Sequence, residues 1–217
     1  MILDFGDGYG LRQATAADRP ALALICLRTG DAGADATARE DDPALMGQIY
    51  AAPYQALEPE LAFLVEGPSG AAGYLLGAAD TQAFNARLAD RWYPDLRRRV
   101  ADPGPDPSRW HGSDWARHAV HHADLDLPSA LHPYPAHGHI DLLPEARGRG
   151  IGRRAMRFLE EALTERGAPG MHLPVDPRNR GALAFYEALG FQRLDAAGLP
   201  GHQIYVVKRF CGRGSPQ

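Results

Sequence analysis

The 217 residues hold 23 Lys and Arg against 27 Asp and Glu, and this mild acidity excludes the global basic field that drives non-specific nucleic-acid binding. The length suits one enlarged domain better than two small ones, expected over residues 1–210 with 211–217 as a tail. Cys26 and Cys211 lie far apart with no CxxC spacing, which argues against a disulfide framework or a thiolate zinc site.

MILDFGDGYG lacks the basic patch and apolar core of a signal peptide, and no apolar run reaches spanning length, so a cytoplasmic chain with no membrane or nucleic-acid partner is expected. A short strand over YGLRQ then leads to a helix capped near Thr15, with Leu22, Ile25 and Cys26 at helical spacing. Residues 30–42, rich in Asp, Ala and Gly, read as a loop, and PALMGQIYAAPY as a second helix with Pro43 in its first turn. LAFLVEG and AAGYLLGAAD, separated by Pro68, Ser69 and Gly70, form the clearest antiparallel hairpin signal. Residues 81–135 hold seven of the 18 prolines and all three tryptophans, and read as an insertion with a helix over Thr81 to Trp92 and irregular structure beyond. HGHIDLL is a strand candidate, Gly150 to Arg166 a helix, MHLPV a strand, and Asn179 to Leu189 a helix closed by Gly190. HQIYVVKRF makes the last strand.

The chemistry is concentrated in LLPEARGRGIGRR, where a strand enters a glycine turn and then a helix whose apolar residues Ile151, Ala155, Phe158, Leu159, Ala162 and Leu163 share one face. A helix N-terminus presents unpaired N–H groups and the positive end of the dipole, which together favour an anion. Gly148, Gly150 and Gly152 permit close approach of a phosphate, and Arg149 and Arg153 supply charge. A Walker loop is excluded because no Lys-Ser/Thr ends the turn, and the G-x-G-x-G spacing departs from the dinucleotide fingerprint.

RGRGIG, through Arg147, Gly150 and Gly152, resembles the R/Q-x-x-G-x-G/A turn of the GNAT acyltransferase superfamily. VDPRNRGALAFYEALGF resembles that family's second signature through Asn179, Ala182, Phe185, Tyr186, Gly190 and Phe191. The resemblance implies an α/β (α+β type) GNAT fold: a central mixed, mostly antiparallel twisted sheet with splayed central strands flanked by helices. It further implies that acetyl-CoA is the co-substrate, with its pyrophosphate on the backbone of Arg147, Gly148, Arg149, Gly150, Ile151 and Gly152 and with Arg153 beside it. By the same resemblance Leu142 and Leu143 present backbone groups to the pantetheine arm, Asn179 contacts that arm or a phosphate, and Tyr186 stands near the thioester sulfur as a general acid. The runs HIDLLPEARGRGIGRR and GAPGMHLPVDPRNRGALAFYEALGF, with GYLLGAADTQAF, WYP and HPYPAHGHIDLLP, further resemble bacterial relatives of the acetyltransferase-like C-terminal domain of O-GlcNAcase.

Within the last helix Phe185 reads as a core residue, and Tyr186, whose phenol needs a partner, as a channel-lining one. A base is also required. Asp141 and His139 alternate with Ile140 and lie on one strand face just before the turn, where burial raises a carboxyl pKa, while Asp176 is also an ordinary helix-entry residue. Asp114, His118, His121 and His122 share a helical face with zinc-like spacing but match no family metal motif, so no metal is expected. The expected function is N-acetyl transfer to an amine of unknown identity. The second reading is a pseudo-acetyltransferase or interaction module that holds acetyl-CoA without turnover. Acceptor selectivity falls to residues 30–60 and 81–135, where the pattern is least informative.

Overall fold

The computed structural model describes residues 1–210; the expected tail, with Cys211, lies outside the described residues. The strands are β1 (Leu3–Gly6), β2 (Tyr9–Gln13), β3 (Ala62–Gly67), β4 (Gly70–Ala78), β5 (Ala136–Leu142), β6 (Gly170–Val175), β7 (Gln192–Leu194) and β8 (Ile204–Arg209). They form one sheet in the order β1-β2-β3-β4-β5-β6-β8-β7, in which only the β5–β6 pair is parallel.

Side-chain alternation splits the core into two layers. Leu64, Tyr74 and Leu76 face α1 (Arg19–Thr29), α2 (Leu45–Tyr50) and α3 (Ala52–Leu57), packing with Leu22, Ile25, Leu45 and Tyr54. Phe63, Val65 and Leu75 face the other way, onto Ile151, Leu159 and Leu163 of α7 (Ile151–Glu165). Gly138 of β5 lies where α7 crosses: a Cβ there would clash with the Leu76 carbonyl oxygen and stand 3.2 Å from Leu159 Cδ2. Gly138→Ala is therefore expected to destabilise the fold by about 1–3 kcal/mol, read as a lower urea midpoint at unchanged slope.

Several expectations need correction. PALMGQIYAAPY is two helices rather than one, broken at Ala51, and Pro43 precedes α2 instead of opening it. The segment beyond Trp92 is helical where irregular structure is expected: α4 (Thr81–Arg87) runs through a π-helical turn, Leu88–Trp92, into α5 (Tyr93–Arg99), and α6 (Asp114–His121) follows. The prolines sit at an element's start or between elements, where the missing N–H costs no helical bond. Strand β1 escapes the pattern because it has only four residues; Asp7 and Gly8, both at positive φ, turn it into β2. Strand β7, three residues of Gln-Arg-Leu, carries no alternating signal.

The remaining elements agree with the sequence to within a residue or two. Thr15 and Asp18 form a capping box on a 3-10 turn ahead of α1. Gly190, at φ 84°, ends α8 (Arg180–Ala188), with Phe191 N–H donating to the Tyr186 carbonyl at 3.0 Å. Among the described residues no helix is long and apolar enough to cross a membrane.

Candidate active site

Strands β5 and β6 pair only at Ala136–Met171 and His137–His172. Beyond that point they part, and a cleft of about 530 Å³ opens at the parting, bounded by β5, the glycine turn and α8. The Leu143 N–H donates to Ala72 O on the β4 side at 2.8 Å. Because backbone polar groups alternate along a strand, those of Ile140 and Leu142 point the other way, into the cleft. The Leu142 carbonyl is taken by Arg147 Nε at 2.7 Å, which leaves the N–H and C=O of Ile140 and the N–H of Leu142 toward the opening. Of Leu142 and Leu143, which sequence position suggests, Leu143 has its N–H committed to Ala72 and its side chain in the core, while Leu142 and Ile140 turn their free backbone groups toward the cleft.

At the mouth, α7 begins without a side-chain cap at Gly150, so the amides of its first turn, Ile151 to Arg153, lack intrahelical partners. Gly148 and Gly150 have φ of 73° and 74°, a conformation L-residues adopt at a cost, and a Cβ at either would meet nothing within 4 Å. The space above the turn is open. Gly152 differs: a Cβ there would stand 3.1 Å from the Phe185 ring, so its smallness serves helix packing.

The arginines separate. Arg147 lines the cleft and spans it, with Nη2 donating to Gly33 O at 2.9 Å, and Arg153 also lines it. Arg149 turns away: its Nε donates to Glu145 O, Nη1 reaches Asp7 at 3.3 Å and the guanidinium covers the Tyr9 ring. Its side chain is thus absent from the cleft wall, although its backbone belongs to the turn.

Asn179 caps α8, Oδ1 accepting from Ala182 N at 3.0 Å, and lines the cleft beside Gly33. Phe185 is a wall of the cleft as well as a core contact, which corrects its reading as core alone. Tyr186 is buried, 8% exposed, and lines the same cleft. Burial, and secondarily the charge of Asp141, hold its phenol well above the ordinary tyrosine pKa, so it is a protonated donor at neutral pH.

Asp141 is the feature on which the two sides meet. A second cavity of about 490 Å³ lies on the α1 face, lined among others by Thr29, Glu40, Tyr50, Trp115 and His139; among the residues lining the two spaces, only Asp141 borders both. Tyr74, opposite it on β4, donates its hydroxyl to Asp141 Oδ2 at 2.5 Å. Burial raises the carboxyl pKa above its ordinary value, and the hydrogen bonds from Tyr74 and Thr29 only partly oppose this. His139 shares that face, and burial lowers its pKa to about 4, so it is neutral near pH 7. Cys26, next to Tyr74, is pushed up to about 12 chiefly by burial and is an inert thiol. Asp176 pairs with Arg178 at 2.7 Å on the rim of this cavity.

The expected histidine face of α6 forms, but its members point to separate partners. His121 bonds Val100 O and His122 bonds Asp102, both at 2.7 Å, while Asp114 pairs with Arg117 at 2.8 Å. No group of three metal-ligating side chains converges among the described residues. Trp115 lines the second cavity, Trp92 packs on the core, and Trp110 lies tilted against His118 with centroids 4.7 Å apart.

This arrangement agrees with the comparisons to known proteins. The family described as acetyltransferase (GNAT) matches residues 114–191. The solved structure of SsHAT superposes with a TM-score of 0.85 at 37% identity, covering 93% of this chain and 98% of SsHAT. Protein O-GlcNAcase of Rattus norvegicus is 23% identical over 194 residues, 88% of this chain, which spans only about 21% of that much longer relative. Mycothiol acetyltransferase of Thermomonospora curvata is 34% identical over 111 residues, 46% of this chain and 33% of that protein. The family match over residues 114–191, together with the 37% identity to SsHAT over nearly the full length of both chains, shows that the chain belongs to the GNAT acetyltransferase family.

Proposed function

We propose that the protein transfers an acetyl group from acetyl-CoA to an amine by direct attack, with residues 1–210 acting as one domain and 81–135 as an insertion that decorates it. The observation that carries this reading is Asp141, shared by the cleft at the parting of β5 and β6 and by the second cavity, with its pKa raised. Open space above Gly148 and Gly150, together with the uncapped first turn of α7, fits a diphosphate.

The amides of Ile151, Gly152 and Arg153 would hold that diphosphate, with Arg147 and Arg153 alongside. Ile140 and Leu142 would pair with the pantetheine amides, and Asn179 would border the arm. Acetyl-CoA supplies the activated thioester. The amine enters from the second cavity as the ammonium; Asp141 takes one proton, freeing the lone pair that forms the new C–N bond as the C–S bond breaks, and later returns that proton to solvent, while the second proton, lost from the new amide nitrogen, goes to the Tyr186 phenolate left by protonation of sulfur. Tyr186 hands its hydroxyl proton to the departing sulfur and is re-protonated afterwards, so the products are the amide and the free thiol.

Free-thiol release from acetyl-CoA across a panel of amines tests the reading. Stimulation by at least one amine is expected. Tight acetyl-CoA binding with no stimulated release would instead support a cofactor-holding module. Tyr186→Phe is expected to lower kcat by about a hundredfold with coenzyme A affinity unchanged; equal kcat would make Tyr186 a packing residue.

A further inference from the structure

Resting on the acyl-transfer reading, we propose that the second cavity selects a small aliphatic diamine, and that Glu40 binds the amino group distal to the one acetylated. The charges on that wall sort themselves. Asp31 pairs with Arg39 at 2.6 Å and with Arg178 at 3.0 Å, and Asp176 pairs with Arg178, so two cations neutralise two anions. Glu40 stands outside this set. It is partly buried, and its partners are neutral donors: Ser113 Oγ at 2.7 Å and Trp115 Nε1 at 3.0 Å. Arg39, its neighbour in sequence, is committed to Asp31, and Arg117 on α6 to Asp41 and Asp114. A carboxylate held by two uncharged donors and facing a cavity keeps its full charge for a ligand.

Beside it, Trp115 stacks on Tyr50 with ring centroids 6.3 Å apart and planes 19° apart, and both rings line the cavity. A carboxylate beside aromatic faces recognises an ammonium through a charge-assisted hydrogen bond and the ring quadrupole together. The cavity therefore offers two uncompensated carboxylates, Asp141 and Glu40, on separate segments of the chain. A monoamine engages only one of them. Glu40 also ties the loop after α1 to α6, one oxygen accepting from Ser113 Oγ and the other from Trp115 Nε1; in E40Q the amide oxygen keeps the Trp115 N–H, and the amide NH2 faces the Ser113 hydroxyl, which can turn to accept it.

The test compares free-thiol release with 1,5-diaminopentane and with 1-aminopentane, which differ only in the second ammonium. The diamine is expected to show kcat/KM higher by about ten- to a hundredfold, from the range for one charged hydrogen bond. E40Q, which keeps an oxygen for the Trp115 N–H, is expected to bring the ratio close to one, with coenzyme A affinity showing that the variant is folded. A wild-type ratio near one, or a preference that survives in E40Q, overturns the proposal while leaving acyl transfer standing. If neither amine is acetylated, the acyl-transfer reading is judged by the wider amine panel, and calorimetric titration of the diamine into the coenzyme A-saturated protein decides this proposal: binding lost in E40Q supports the diamine site, and no binding or unchanged binding refutes it.

Discussion

Asp141→Asn is expected to lower kcat/KM for every productive amine by about two to four orders of magnitude, the range for removal of a general base. The amide preserves shape and can still accept the Tyr74 hydroxyl, so the loss reports on the proton rather than on packing. Stability moves in the opposite direction. A carboxyl whose folded pKa is raised contributes stability that is present below its unfolded pKa and lost as pH rises through the folded one, so Asp141 burdens the fold at pH values where it is ionised. The variant should therefore melt at the same temperature as the parent or higher. The wild type should also show an acid limb in kcat/KM, with activity falling as pH drops through a pKa above the ordinary carboxyl value of about 4. His139, at about 4, is already neutral through that window and does not produce the limb. A variant that retains both activity and the limb would assign the proton to another group or to water.

Gly150→Trp is expected to abolish coenzyme A binding, seen as no heat in calorimetry at ligand concentrations that saturate the parent. Nothing lies within 4 Å of the Cβ position, so the indole would occupy solvent space above the first turn of α7. That is the space assigned to the diphosphate. The left-handed φ of 74° adds strain of about 1–2 kcal/mol, a modest share of a domain's stability. Gly150→Ala separates the two effects: it carries the same strain with little bulk, and should weaken binding far less. Unchanged affinity in the Trp variant would place the diphosphate elsewhere.

What the sequence made legible follows from how locally each feature is encoded. The hairpin of β3 and β4, helix α7 and the Asn179–Gly190 unit are each specified by period, cap and turn residue within one stretch, and all form as read. The helices of the Pro-rich region were masked because their prolines fall close together without marking a strand or helix period, and α5 and α6 are only seven and eight residues long. Within the site, Gly148, Gly150 and Tyr186 were recognisable from the turn and the helix that carry them. Arg149 and Leu143 share that neighbourhood in sequence, yet strand alternation and the Tyr9 ring direct their side chains elsewhere. Glu40 could not be found by pattern. Its partners Ser113 and Trp115 lie more than 70 residues away, and only the packing of α6 against the loop after α1 joins them.

The most direct test of the account is an experimental structure of the protein with coenzyme A. The account predicts the diphosphate within hydrogen-bonding distance of the amides of Ile151, Gly152 and Arg153, with the sulfur between Asp141 and Tyr186. Density for the diphosphate away from that turn, or for the sulfur outside the gap between β5 and β6, would contradict it.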